Sequence, residues 1–413
     1  MRIFALGGYG KVGLPAIKLL AGSDLVTEIA IAGRSQERAE KAATELAALE
    51  RGEKALAIQV DGTDEGELTS LLAGYDIIMN AATNEAVLPA IRAATRTGAH
   101  YCDVAYGDVL DRALQLAAEA EAAGITSVLA NGVHPSITNL MGVHVARQLE
   151  EVEQLQLGEA SIYDFQSGGE LTPRQWLEEP QQSLTALHEF RPSIAWMLQI
   201  GQESGIRTVC AFHDGRWVEL DPVRCGLDVP LAQGGTVTSY PYLSSYPLLG
   251  SLPRDLSKAS PVEMFFTPLP PQLHDLLRGF ALRVLDGNVD SDTAANSFFD
   301  TVETDPASWL TLPDGFVPLP KTWARAVGRR EGRAARCTCW FTAPMWDVGG
   351  YYLTSVGLVA AVNMILRGDI RERGVMAAET AFEPQSFFDE VASLLPDPLP
   401  DGKLIDESFE WLE

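Results

Sequence analysis

The sequence predicts an α/β protein with a doubly wound parallel sheet, into which an α+β domain on a mixed sheet is inserted. Short apolar strands and amphipathic helices alternate through short connections up to Ala130. The alternation stops near Asn131, and the strands that follow mix apolar and polar residues, as half-exposed strands do. Strong helical character returns from Tyr351. We therefore predict three regions: 1–133, 134–349 and 350–413, the last returning to the first domain.

The first region contains six predicted strands and the helices that link them. The strands are the apolar run that begins at Arg2 and leads into Gly8, the stretch Glu28–Ser35 that ends in a short loop, and then Ala55–Val60, Tyr75–Asn80, His100–Val104 and Thr126–Ala130. The helices are Leu14–Leu20, Gln36–Leu49, Asp64–Ala73, Glu85–Thr97 and Val109–Ala123.

The second region has a different pattern of predicted strands. They are Val152–Tyr163, Val209–Phe212, Arg216–Glu219, Thr236–Tyr240 and Ala335–Phe341. Gly215 suits a hairpin turn between two of them. Helices are predicted at Tyr351–Arg367 and Pro384–Leu395, and the acidic residues beyond Pro396 are expected to form a loose tail.

A glycine motif directly follows the first strand. Gly8-Tyr9-Gly10-Lys11-Val12-Gly13 fits Gly-x-Gly-x-x-Gly between a strand and a helix, the context of a dinucleotide-binding Rossmann domain. We expect Gly8 to allow the turn, Gly10 to let a pyrophosphate approach, and Gly13 to let the helix pack closely. The helix N-terminus would then face the phosphates.

The composition limits which binding partners and which cellular compartment we expect for this protein. The chain has 413 residues and a formal net charge of −25, which disfavours nucleic acid and anionic membranes as partners. Five cysteines form no disulfide framework, and the apolar run Tyr351–Leu366 indicates a buried helix rather than a membrane span. The spacing of His, Cys and acidic residues predicts no metal site. We expect a cytoplasmic protein with a small-molecule substrate.

The end of the second strand indicates which nicotinamide cofactor binds. An NAD-binding domain usually has an acidic residue there, but this chain has Arg34 and Ser35. A guanidinium and a hydroxyl suit a 2′-phosphate, so NADP is favoured and NAD remains possible. The alternative is that Arg34 only caps a loop. The candidate cofactor-binding residues are Gly7, Gly8, Tyr9, Gly10, Lys11, Val12, Gly13, Arg34, Ser35, Asp61, Asn80, Ala81, Ala82 and Asn131.

Catalytic candidates follow the fifth and sixth strands, because ligands of such sheets collect at the carboxyl ends of the strands. His134 can exchange a proton near neutral pH, while Asp103 can hold an ammonium or orient His134. Tyr106 is a further hydrogen-bond donor. Structural caps on glycine-rich turns are the alternative for His134 and Asp103. By charge alone, a substrate carboxylate has four candidate partners: Arg174, Arg191, Lys321 and Arg325.

Four stretches together resemble the saccharopine dehydrogenase-like oxidoreductases. They are Gly8–Gly13, Asn80–Ala82, Gly98–Asp103 and Gly132–Asn139, with Ser136 where the family usually has glycine. The region from Gly368 to Glu379 is also similar. The resemblance implies a Rossmann domain, an inserted sheet domain used for homodimerisation, and hydride transfer between NAD(P)H and a C–N bond of an amino-acid-derived imine.

Three functions remain open at this point. The first is an NADP-dependent oxidoreductase acting on a C–N bond of an amino-acid or polyamine-like substrate. The second is a non-catalytic NADP-binding redox sensor, which would need no proton donor near the nicotinamide. The third is a C=C or C=O reductase of lipid or secondary metabolism, since related dinucleotide folds serve such reactions.

Overall fold

The computed structural model describes most of the chain. Residues not described are 50–54, 106–108, 163–177, 190, 192–193, 195–197, 199–208, 215, 221–225, 231–235, 242–258, 312–319, 343–344, 397–398 and 413. The chain divides into two compact units. One includes Met1–His144 and Tyr351–Leu404, and the other includes most of Val145–Gly350 together with Ile405–Glu413.

The first unit is built on a parallel sheet of seven described strands. They are β1 Arg2–Leu6, β2 Glu28–Gly33, β3 Ala55–Gln59, β4 Ile77–Asn80, β5 His100–Asp103, β6 Thr126–Leu129 and β15 Gly374–Ala377. Their order is β15-β6-β5-β4-β1-β2-β3. The order reverses between β1 and β4, which is where a doubly wound sheet binds its ligand.

Helices cover this sheet. They are Gly13–Ala21, Gln36–Ala47, Glu65–Leu71, Val87–Thr97, Val109–Leu114, Ala117–Ala122, Thr138–Ala146, Met345–Arg367, Ala378–Ala381 and Pro384–Leu394. Residues 3–6 of β1 are at most 1% exposed, as expected for a central strand covered on both faces. No helix of the described residues is long and apolar enough to cross a membrane.

The second unit contains a mixed sheet of nine described strands. They are β7 Glu151–Ile162, β8 Val209–His213, β9 Arg216–Leu220, β10 Leu227–Pro230, β11 Thr236–Pro241, β12 Val262–Leu269, β13 Thr322–Arg330, β14 Arg333–Phe341 and β16 Ile405–Trp411. The main path is β10-β11-β12-β7-β13-β14-β16, and the β8–β9 hairpin joins β12. Only β12 and β7 pair in parallel among these described strands. Helices Pro180–Glu189, Pro271–Leu285, Ser291–Thr304 and Pro306–Leu310 share an apolar core in this unit.

The fold class predicted from the sequence is confirmed, but three details of the prediction are wrong. The acidic C-terminus is no loose tail, because β16 pairs antiparallel with β14 from Ile405 to Trp411. The helix predicted over Val109–Ala123 is two helices separated by a turn, in which the Leu116 N–H donates to the Ala113 carbonyl. The parallel sheet also gains β15, whose four residues are too short for strand periodicity to reveal.

Candidate functional site

The turn after β1 is shaped by its glycines. Gly7 has a φ of +76°, so the left-handed residue comes one position before Gly8, to which the sequence assigned the turn. A Cβ on Gly13 would lie 2.1 Å from the Gly7 carbonyl oxygen, so glycine is required where the helix Gly13–Ala21 meets the strand. The Ser355 hydroxyl donates to the Val12 carbonyl at 2.7 Å and ties the end of this turn to the helix Met345–Arg367.

A cavity of about 560 Å³ opens beside this turn, at the carboxyl ends of the first strands. Eight of the predicted cofactor-binding residues line it: Gly7, Tyr9, Gly10, Lys11, Arg34, Asp61, Ala81 and Ala82. Nine further lining residues were missed from the sequence: Leu6, Gly33, Arg38, Val60, Gly62, Thr63, Thr83, Ala86 and Tyr351. The remaining predicted residues, which do not line it, are Gly8, Val12, Gly13, Ser35, Asn80 and Asn131.

Tyr9 covers the end of β2. Its ring lies against Gly33, where an added Cβ would be 2.4 Å from the Tyr9 hydroxyl oxygen. That hydroxyl accepts a hydrogen bond from the Ser35 backbone N–H at 3.1 Å. The tyrosine of the glycine motif therefore fixes the position of the loop that follows β2.

Two arginines line the cavity at this loop. The Arg38 guanidinium carbon lies 4.6 Å from the Tyr9 ring centroid, and Nη2 donates to the Tyr9 carbonyl at 3.4 Å. Ser35 caps the helix Gln36–Ala47, because its hydroxyl accepts from the Arg38 N–H at 3.3 Å. Arg38 lies four positions after Arg34, in the first turn of the helix that Ser35 caps, so its closeness in the sequence could have identified it.

The positive charge of Arg34 contributes to lowering the pKa of two acidic residues beside the loop. The pKa of Asp61 is lowered, chiefly because its carboxylate accepts hydrogen bonds from the backbone and hydroxyl of Thr63. The pKa of Glu85 is lowered mainly by a hydrogen bond from Thr83. The positive charge of Arg34 adds to both effects. Asp61 thus stays ionised while its oxygen is directed to Thr63.

Lys11 brings a third cation to the cavity. Its Nζ lies 5.4 Å from the centroid of the Tyr351 ring, and both residues line the cavity. Tyr351 lies 340 positions further along the chain by residue number, so no local pattern in the sequence could have indicated it.

A chain of buried polar groups runs behind the cavity. The Asn80 amide oxygen accepts from the Ala82 N–H at 3.0 Å, and its Nδ2 donates to the Tyr101 hydroxyl at 2.9 Å. The Tyr101 hydroxyl donates to Asp103 at 2.8 Å. Asn80 therefore positions the Ala81–Ala82 wall from behind.

Asp103 is fully buried, and its contacts are largely structural. One carboxylate oxygen accepts from the N–H groups of Ala130 at 2.6 Å and Ala105 at 3.1 Å. Burial raises the pKa of Asp103 to about 6, although these hydrogen bonds oppose the rise. Asn131 donates from Nδ2 to the Asp103 carbonyl at 3.1 Å. Asp103 and Asn131 thus hold the ends of β5 and β6 together.

Of the other two catalytic candidates, the structure describes His134 but not Tyr106. His134 is half-buried and has extended dihedral angles (φ −131°, ψ 113°), as the following proline favours. Tyr106 lies outside the described residues. Within the described residues, His134 and Asp103 form no hydrogen bond with each other.

The four candidate partners for a carboxylate also have different surroundings. Arg191 stacks on Phe299 with its guanidinium carbon 4.0 Å from the ring centroid, and donates to Asn296. Lys321 is buried and paired with Glu159 at 2.6 Å. Arg325 is buried beside Gln156. Arg174 lies outside the described residues.

The first part of the chain matches a known protein family. Residues 3–128 match the model of the saccharopine dehydrogenase NADP binding domain. Apo histidine-tagged saccharopine dehydrogenase (L-Glu forming) from Saccharomyces cerevisiae is similar over 99% of this chain and 99% of its own. Its TM-score is 0.65 at 15% sequence identity. That similarity shows the fold, and the family model shows the NADP-binding domain.

Two further solved structures are more distant. An oxidoreductase from Agrobacterium radiobacter in complex with NAD+, L-tartaric acid and magnesium is 11% identical, covers 95% of this chain and 94% of its own, and has a TM-score of 0.43. A putative short-chain dehydrogenase from Novosphingobium aromaticivorans is 17% identical, covers 25% and 52%, and has a TM-score of 0.23. Neither carries an argument about this chain.

Proposed function

We propose that the chain is a saccharopine dehydrogenase-like, NAD(P)-dependent oxidoreductase, that it binds NADP through Arg34 and Arg38, and that it acts on a C–N bond. The observation that carries the proposal is the pair of cavity-lining arginines after β2: Arg34, where NAD-binding domains usually have an acid, and Arg38, whose guanidinium lies over the Tyr9 ring. Guanidinium groups bind phosphate through paired charged hydrogen bonds. A 2′-phosphate would therefore bind between these two side chains, next to the capped helix N-terminus at Ser35.

The remaining part of the cavity suits the pyrophosphate. Gly10 presents backbone without a side chain, and an added Cβ there would lie 3.1 Å from the Gly7 carbonyl oxygen. Lys11 supplies positive charge on the same side. Asn80, anchored to Tyr101, would hold the Ala81–Ala82 wall against the cofactor. When bound, the nicotinamide supplies the hydride.

The reaction that we propose is hydride transfer at a C–N bond of an amino-acid or polyamine-like substrate. His134 would give a proton to the substrate nitrogen in imine reduction or take one from it in amine oxidation, since an imidazole can do either near neutral pH. Its extended backbone next to proline holds the ring on a restrained turn. Asp103 would act through the backbone of this turn rather than by touching the substrate.

NADPH consumption tests this reaction. The purified protein would be mixed with NADPH and a panel of cyclic imines and of amines paired with oxo acids, with ketones and enones as the comparison set. Turnover confined to the C–N panel supports the proposal. Turnover only on ketones or enones would favour a C=O or C=C reductase, and NADPH binding without any turnover would favour a redox sensor.

We also propose that the chain forms a homodimer and that its working regions are 1–133, 134–349 and 350–413. Sedimentation equilibrium over a concentration series tests the first point. A monomeric mass at all concentrations would contradict it.

A further inference from the structure

A row of polar side chains crosses the mixed sheet of the second unit. Arg325 on β13 lies opposite Gln156 on β7, which in turn lies opposite Glu263 on β12. Cross-strand partners share one face of a sheet, so these three side chains lie side by side. His213, at the end of β8, extends the row beyond Glu263.

Among the described residues, Arg325 donates its hydrogen bonds to an amide oxygen and to no carboxylate. Arg325 donates from Nε at 2.9 Å, and also from Nη2, to the neutral Gln156 Oε1. The Gln156 amide donates to one oxygen of Glu263 at 3.2 Å, and His213 Nε2 contacts the other at 3.1 Å. Glu263 is therefore engaged elsewhere, and no acidic side chain of the described residues forms an ion pair with Arg325.

The charge of Arg325 is nevertheless buried. Only 9% of the residue is exposed, and its pKa is lowered by burial and by the nearby Arg336, while the negative charge of Glu263 opposes the shift. Buried charges in proteins are normally paired, because removing an ion from water is costly. The second cation nearby, Arg336, pairs with Glu410, and the carboxylate that acts on Arg325 is Glu263, which reaches it through the Gln156 amide rather than by direct contact.

One edge of the guanidinium remains available. Nε and Nη2 face Gln156, whereas Nη1 makes no hydrogen bond to any described residue and is not among the fully buried polar atoms without a partner. The Nη1–Nη2 edge can therefore receive both oxygens of a carboxylate. The side chain is held in place by Gln156 and lies near Trp323, 6.0 Å from guanidinium carbon to ring centroid. Trp323 is itself packed against Gly158, where a Cβ would be 2.0 Å away.

We propose that Arg325 forms a binding site for a small-molecule carboxylate on the mixed sheet of the second unit. A carboxylate group fits better than a phosphate, because one guanidinium edge supplies two donors and one charge, which match one carboxylate end of a molecule such as glutarate, and the neighbouring Lys321 is already paired with Glu159. The inference goes beyond the proposed function and uses no property of the cofactor cavity.

Binding of glutarate tests the site. Sodium glutarate would be titrated into the full-length protein in carboxylate-free buffer, with sodium chloride at matched ionic strength as the reference, while melting temperature and tryptophan fluorescence are followed. We expect saturable binding that weakens on the order of 10- to 100-fold in Arg325→Gln. Arg325→Lys, which keeps the charge without the fork, should bind with intermediate affinity.

A matched variant separates this site from general surface charge. Arg329 lies on the same strand but is exposed and paired with Glu153, so Arg329→Gln should bind glutarate as the wild type does. The proposal would be overturned if glutarate changed the melting temperature and fluorescence of the wild type no more than chloride does. It would also be overturned if Arg325→Gln bound glutarate as tightly as the wild type. If Arg325→Gln does not fold, unchanged affinity in Arg325→Lys would overturn it.

NADPH titrations of the same proteins separate this inference from the proposed function. Arg325→Gln should bind NADPH as the wild type does. Failure of the wild type to bind NADPH would remove the proposed function and leave the glutarate result standing.

Discussion

Tyr9 and Gly33 interlock at the end of β2, because the tyrosine ring occupies the space where a side chain at position 33 would lie. The Tyr9 hydroxyl accepts a hydrogen bond from the Ser35 N–H, and the Arg38 guanidinium lies over the Tyr9 ring. The loop after β2 is thus positioned by a residue of the glycine motif. This contact explains why β2 ends with glycine.

Gly33→Ala should displace Tyr9 and weaken NADPH binding. The new methyl group would overlap the tyrosine ring, and the Ser35 and Arg38 contacts would be lost with it. We expect an affinity loss on the order of 10-fold, as for one or two hydrogen bonds, measured by fluorescence titration. Gly279→Ala is the control, because no atom lies within 4 Å of an added Cβ there. Equal NADPH affinity in both variants would mean that Tyr9 does not position the site.

Asp103→Asn should change how stability depends on pH. The Asp103 pKa is about 6 in the folded protein against an ordinary 3.8, so between these values the folded state holds the extra proton. The free energy of unfolding therefore falls as pH rises through this window, by about 3 kcal/mol from this group. Asn mimics the protonated acid and should remove that fall.

Urea unfolding at pH values from 4 to 7 measures this effect. The control is Asp300→Asn, an exposed carboxyl on the helix Ser291–Thr304, which should leave the pH dependence as in the wild type. The same slope in wild type and Asp103→Asn would show that the buried carboxyl does not titrate in this range.

His134→Asn should lower turnover while leaving NADPH affinity intact. Losing a general acid–base group costs on the order of 10²–10⁴ in rate, and the pH profile near neutrality should flatten. Full turnover on the true substrate would assign His134 a structural role. Because Asp103 acts through the backbone of the same turn, the double variant with Asp103→Asn should be less than additive.

The sequence was sufficient for the parallel sheet and for the glycine turn, because both depend on local patterns. Alternating strands and helices indicated the sheet, and the glycine motif and the end of β2 indicated Gly10 and Arg34, which both line the cavity. Arg38 was missed although its spacing from Arg34 was readable. Tyr351 could not have been found, since its place in the cavity depends on tertiary packing across most of the chain.

The same limit applies to charged side chains and to the C-terminus. The position of Asp103 in the sequence predicted that it holds an ammonium or orients His134, whereas its burial and its contacts with Ala130 and Tyr101 depend on how two strands meet. Arg325 was one of four candidate cations in the sequence, and what distinguishes it from the likewise buried Lys321 is that Lys321 pairs with Glu159 whereas Arg325 faces the neutral Gln156. The strand Ile405–Trp411 is rich in acids and exposed on most residues, so its pattern resembled a tail.

The most direct test of the account is the affinity of the protein for NADPH and for NADH in wild type, Arg34→Ala, Arg38→Ala and the double variant. Loss of a charged hydrogen-bond partner of the 2′-phosphate should weaken NADPH binding on the order of 10- to 100-fold per arginine and leave NADH nearly unchanged. Wild-type protein should therefore prefer NADPH, and the double variant should bind the two cofactors alike. Equal wild-type affinities, a preference for NADH, or equal weakening of both cofactors by either substitution would contradict the account.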